Sequence, residues 1–141
     1  MTVNYQELLK DRIYIGGADD ASDAVTNEKI DLVFDLRAEA PAMDTAYDRI
    51  HSPIVDNQGE QDDSIKASID QVVSAYKEGK NIYFHCQGGS NRTGTVALGT
   101  LLELGEASTL AEAEAIAKAV RPKINVKPEM MASLQKLYPQ T

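Results

Sequence analysis

Over residues 81–85 the chain reads Asn-Ile-Tyr-Phe-His, apolar at successive positions rather than at alternate ones. Successive side chains of a strand point to opposite faces, so this segment needs cover on both sides, as strands of parallel sheets have. It predicts a central, buried strand. Alternating apolar positions and flanking turn residues mark three more strands, over 12–15, 31–36 and 50–55. Ile65, Ile69, Val72, Val73 and Tyr76 recur at helical spacing over 62–76, with Asp62, Asp63 and Ser64 as the capping cluster and Gly79 as the stop. Beyond Arg92 the pattern is helical: 93–104 closed by Gly105, 109–120 closed by Pro122, and 128–137 opened by Pro128. The expected fold is α/β, a central mostly parallel sheet of four to five strands flanked by helices. With 141 residues and no linker-like stretch, one domain over 1–141 is expected.

The buried strand runs into the only cysteine, Cys86, then Gln87-Gly88-Gly89-Ser90-Asn91, then Arg92. A strand that feeds a helix through a glycine-rich turn suits an anion, because the turn's N–H groups can converge and the helix N-terminus adds partial positive charge. The two glycines are expected to free the backbone for this, and Arg92 offers a planar fork of donors for two phosphate oxygens. A thiol at the mouth of such a nest feels the same field, so Cys86 is expected to titrate well below about 8.5 and to act as a nucleophile. The Thr93 hydroxyl is placed to donate to the sulfur. Taken singly, a cysteine at a strand end is usually a small buried hydrophobe, and Gly-Gly is usually a plain turn. Their order here, strand, cysteine, loop, arginine, helix, is what favours the chemical reading.

Charge removes several classes of partner. With 14 basic and 22 acidic residues the net charge is −8, which argues against nucleic acid or an anionic membrane, since both reward clustered Lys and Arg. A local pocket for a small anion is still compatible with that balance. Cys86, His51 and His85 are the whole supply of thiol and imidazole, too few for a structural metal, and no cofactor is expected. A single cysteine forms no internal disulfide, and the first residues lack the layout of a secretory signal, so a cytoplasmic location is expected.

His85-Cys86, five residues, then Arg92-Thr93-Gly94 resembles the HC-x5-R-[ST]-G signature of the cysteine-dependent protein tyrosine and dual-specificity phosphatases. The early IYIGG run, the LVFDLR strand and the helical tail extend the likeness over nearly the whole chain. The resemblance implies a phosphotyrosine protein phosphatase-like fold, and substrates that are phosphorylated proteins or small phosphomonoesters. It also implies phosphate, sulfate or vanadate seated in the loop at Gln87, Gly88, Gly89, Ser90 and Asn91. Cys86 would attack phosphorus, Arg92 and the loop amides would hold the oxygens, and a cysteinyl-phosphate would form without a metal.

Such a reaction gains from an acid that protonates the departing oxygen. Asp44, Asp48, Asp56, Asp62 and Asp63 precede Cys86. Capping explains Asp62 and Asp63, and Asp44 and Asp48 have no turn to aim them. Asp56 ends the third apolar run and opens a polar loop, and SPIVDNQG is similar to the acid loop of kinase-associated dual-specificity phosphatases, so Asp56 is favoured over the other acids. Thr93 would then stabilise the returning thiolate.

His85 should point away from Cys86 as a hydrogen-bonded core histidine, and His51 reads as a surface or strand-edge residue. All five loop positions are neutral, which disfavours a highly charged inositide; no aromatic wall for phosphotyrosine is identifiable, and the short chain favours a shallower site that admits both aryl and alkyl phosphates. Two rival readings stand beside this one. A rhodanese-like sulfurtransferase would carry a persulfide on Cys86, and a catalytically inactive phosphate-binding module would keep only the nest.

Overall fold

The structure is a computed structural model that describes residues 4–37, 48–54 and 61–139. Its order is β1 (Gln6–Leu9), β2 (Ile13–Gly17), a short 3-10 turn (Ala18–Asp20), α1 (Ala21–Asn27), β3 (Leu32–Arg37), β4 (Arg49–Ile54), α2 (Gln61–Lys77), β5 (Ile82–Cys86), α3 (Asn91–Glu103), α4 (Leu110–Val120) and α5 (Pro128–Leu137). The five strands lie in the order β1-β2-β5-β3-β4. The four from β2 to β4 run parallel, and β1 pairs antiparallel with β2 at one edge. The mostly parallel sheet expected from the sequence is therefore present, with β5 at its centre.

All five residues of β5 are buried, and its side chains divide as a doubly covered strand requires. Ile82, Phe84 and Cys86 join Ile13, Ile15, Phe34, Leu36 and Ile54 in the larger core, together with residues of α2 to α5. Tyr83 faces the other way, with Tyr5, Tyr14 and Val33, under Ala21 and Ala24 of α1. Gly79 and Gly105 adopt φ values of +90° and +74° just after α2 and α3, the left-handed conformation that ends helices at little cost for glycine. Helix α2 begins at Gln61, so Asp62 and Asp63 sit inside its first turn rather than before it.

Two elements were not predicted, β1 and α1. Both are short and carry polar residues, and they exist through tertiary contacts: β1 pairs with β2 around a register shift at Leu8, and α1 is held by the two alanines under the tyrosines.

Parallel strands bring their carboxyl ends to one edge. Gly17 pairs with Cys86, Asp35 with His85 and Arg37 with Ile54, so β2, β5, β3 and β4 all end within a residue or two of the same line. Crevices outside the carboxyl ends of such strands are where open α/β sheets place ligands. No helix among the described residues is long and apolar enough to cross a membrane.

Candidate active site

Cys86 is the last residue of β5, and α3 starts five residues later at Asn91. The four carbonyls between them all have donors outside the loop's hollow. Gln87 O accepts from Ala18 N at 3.1 Å, and Ser90 O accepts from Gly94 N at 3.2 Å and Asn125 N at 3.4 Å. Gly89 O and Gly88 O accept from Nε and Nη2 of Arg121 at 2.9 and 3.2 Å. A trans peptide points its N–H opposite to its C=O, so these anchors turn the N–H groups that follow toward Cys86.

Of these, the N–H groups of Gly89 and Ser90 act on the sulfur. Thr93 Oγ1 donates to Cys86 Sγ at 3.1 Å while itself accepting from Cys86 N–H at 2.9 Å. Burial pushes the Cys86 thiol up, but the Thr93 hydroxyl and the N–H groups of Thr93, Ser90 and Gly89 outweigh it, and the thiol is held below its ordinary value. Only 6% of Cys86 is exposed, yet it lines a cavity of about 300 Å³ with Gln87, Gly88, Ser90, Asn91 and Arg92. The sequence-predicted nucleophile, arginine, threonine and loop are thus brought together.

Of the two loop glycines only Gly89 adopts a left-handed conformation, at φ +72°. A Cβ there would lie 2.6 Å from Arg121 Nη2 and from Gly16 O, whereas one at Gly88 would meet nothing within 4 Å. The expectation that both glycines free the backbone therefore holds for one of them.

His85 is 2% exposed and its Nδ1 is 3.0 Å from Cys86 O. A carbonyl only accepts, so Nδ1 carries the proton. Burial lowers the imidazole below its ordinary pKa despite that bond and the Asp35 charge, leaving it neutral. It shapes the strand end rather than serving as a base. His51 is exposed on the edge strand β4, where its Nε2 bonds Arg37 O.

Behind His85 lies a charged cluster. Asp35 is fully buried, with Arg37 Nη2 at 2.8 Å and Arg49 Nη2 at 2.7 Å from its Oδ2. Burial raises its pKa, but the two guanidinium groups overcome this and hold the carboxyl well below the usual range. Arg37 Nη1 also donates to Gln87 Oε1 at 3.0 Å, tying the cluster to the first loop residue.

Asp56 and Asp44 lie outside the described residues. Asp48 precedes β4 at the amino ends of the strands, away from Cys86, and Asp62 sits 3.8 Å from Lys136 on α5. The sequence reading missed Asn125 and Lys127, which line the cavity's far side, and Arg121 beneath the loop. Lys127 N–H donates to Asn91 Oδ1 at 2.8 Å. A larger cavity, about 460 Å³, lies against Leu32, Phe34 and Ile50 at the opposite end of the strands. It contains neither the thiol nor the anion nest.

A family model described as the dual specificity phosphatase catalytic domain matches residues 13–140. No curated protein matches the chain. Among solved structures, human DUSP28 superposes with a TM-score of 0.81 at 16% identity, covering 100% of this chain and 98% of that one. A mouse putative dual specificity phosphatase complexed with zinc tungstate gives 0.80 at 19% identity, covering 96% and 87%. Tk-PTP in its active form gives 0.78 at 22% identity, covering 100% of both chains. At these identities the structural likeness is one of fold.

Proposed function

Because the chain belongs to the dual specificity phosphatase catalytic-domain family and is a cysteine-based phosphatase, we propose that Cys86 attacks the phosphorus of a phosphoprotein or small phosphomonoester and carries it as cysteinyl-phosphate. In the first step an S–P bond forms and the ester P–O bond breaks. Arg92 and the N–H groups of residues 87–91 hold the three equatorial oxygens, and Asp56 gives its proton to the leaving oxygen. In the second, water gives a proton to Asp56 and its oxygen bonds phosphorus. The S–P bond breaks, and the thiolate returns to the Thr93 hydroxyl. One domain spanning the chain carries the reaction, in a cytoplasmic setting that keeps the lone thiol reduced.

The observation that carries this reading is the surrounding of Sγ: a hydroxyl at 3.1 Å and three converging backbone donors, in a cavity shared with Arg92. No aromatic side chain among the described residues lines that cavity, which supports a rim open to aryl and alkyl phosphates, with Lys127 as a second cation beside Arg92. The family match is to phosphatases, and neither the sulfurtransferase nor the inactive binding module gains support from it.

The test is hydrolysis of p-nitrophenyl phosphate by the purified chain, with vanadate as competitor. Turnover should persist in chelator, and Cys86→Ser should lose it while still binding tungstate. Asp56→Ala should slow esters with poor leaving groups far more than activated aryl esters. Normal turnover by Cys86→Ser would remove the thiol from the reaction, and equal losses across leaving groups would assign the proton to another acid.

A further inference from the structure

Arg121 caps the C-terminus of α4 and is 2% exposed, one of the largest fully buried side chains in the molecule. Its Nε donates to Gly89 O at 2.9 Å and its Nη2 to Gly88 O at 3.2 Å. Nη1 donates to Asn4 O at 2.6 Å and to Gln6 Oε1. No carboxylate among the described residues pairs with it. A buried guanidinium normally has such a partner, because desolvating an uncompensated charge is costly. Here neutral oxygens satisfy its donors and leave its charge directly beneath the loop.

The two carbonyls it holds belong to the peptides whose N–H groups are those of Gly89 and Ser90. Drawing each C=O down onto Arg121 turns the opposite N–H up toward Sγ. The N–H groups of Gly89 and Ser90 are two of those that lower the Cys86 thiol. The glycine at 89 fits the same arrangement, since any Cβ would collide with Nη2.

We propose that Arg121 is a positioning residue of the phosphatase reaction: its fork fixes the 88–89 and 89–90 peptide planes with their N–H groups facing the anion, and its uncompensated charge attracts that anion from behind. This rests on the reading of Cys86 as the nucleophile in an oxyanion nest. Among the described residues, the other charged or titratable groups around the thiol include Arg92 and Lys127 on the cavity wall, His85 through Cys86 O, and Arg37 through Gln87.

The experiment compares the full chain with Arg121→Met and Arg121→Lys, well below each protein's melting temperature. The readouts are the pH dependence of Cys86 alkylation by iodoacetamide and tungstate binding by calorimetry. Arg121→Met should raise the alkylation midpoint by about one pH unit, a tenfold loss of thiolate at lower pH, and weaken tungstate by about tenfold or more. Arg121→Lys keeps the charge without the planar fork, so it should fall between Met and the parent. A residue that only fills space would lower the melting temperature and move neither readout, and a folded Arg121→Met with parental midpoint and affinity overturns the proposal. If Arg121→Met does not fold, Arg121→Lys decides: parental values in both readouts overturn the role of the fork. A parent chain that itself titrates like free cysteine and ignores tungstate would instead sink the reading of Cys86.

Discussion

Two arginine clusters touch the loop over 87–91, and they differ in the atoms that accept their hydrogen bonds. Arg37 and Arg49 close on the fully buried Asp35, and Arg37 also donates to the side chain of Gln87. Arg121 has no carboxylate among the described residues and grips the main chain of Gly88 and Gly89. The first cluster gathers two guanidinium groups on one carboxylate inside the sheet, fastening β3 to β4 and bracing the loop's edge. The second leaves its charge where an anion can feel it. The contrast shows that the place of an arginine beside the loop does not by itself say what it is for; the atoms that accept its hydrogen bonds do.

The largest effect should come from breaking the cluster that Asp35 holds together. Asp35→Asn leaves two guanidinium groups without their carboxylate, and removing one partner of a buried pair typically costs about 3–5 kcal/mol. Urea unfolding at neutral pH should show a loss of that order. Asp35 titrates lower when folded than unfolded, so its contribution is complete above about pH 4 and drains away as acid approaches the folded value. The gap between parent and Asp35→Asn should therefore narrow on acidification. The same variant frees positive charge near the loop, so its Cys86 alkylation midpoint should move down, opposite to Arg121→Met. Two midpoints moving up together would erase the distinction between the clusters.

Next in size is Gly89→Ala. A left-handed conformation costs an alanine about 1–2 kcal/mol, and the added Cβ clashes with both Arg121 Nη2 and the Gly16 carbonyl, each 2.6 Å away. Tungstate affinity should drop by more than about tenfold through the loss of both amide aims at once. Gly88→Ala meets open space and should do much less harm. Comparable losses at the two positions would mean that Arg121 is not what makes 89 special.

These predictions mark where the sequence was legible. The apolar succession of Ile82, Tyr83 and Phe84 announced a strand covered on both faces, and the spacing from Cys86 to Arg92 announced the nest, because both are local patterns with one physical meaning. Arg121 had no such mark. Beside Pro122 it reads as an ordinary cation near a helix C-terminus, where the macrodipole welcomes it in water. Its burial depends on β1, Asn4 and the loop meeting it from distant parts of the chain, and β1 itself escaped notice because QELL becomes a strand only by pairing with β2. Asn125 and Lys127 were missed for the same reason: they reach the cavity because the segment after Arg121 returns across Ser90 and Asn91. The equivalence assumed for Gly88 and Gly89 failed because composition cannot say which of two glycines turns left-handed.

The smallest effect should belong to Thr93→Val, and it separates the nest from the charge beneath it. Valine keeps the shape and removes the hydroxyl that donates to Sγ at 3.1 Å and accepts from Cys86 N–H at 2.9 Å. A hydrogen bond to a charged group contributes about 1.5–3 kcal/mol, part of which the remaining amides of Gly89, Ser90 and Thr93 can recover by closing on the sulfur. The alkylation midpoint should rise by about one pH unit, a tenfold loss of thiolate, with tungstate affinity reduced less than in Arg121→Met. Thr93→Ser restores the donor and should return the midpoint to the parent's. If valine and serine titrate alike, the amides and Arg121 hold the thiolate without help from the hydroxyl, and Thr93 serves only to anchor the start of α3.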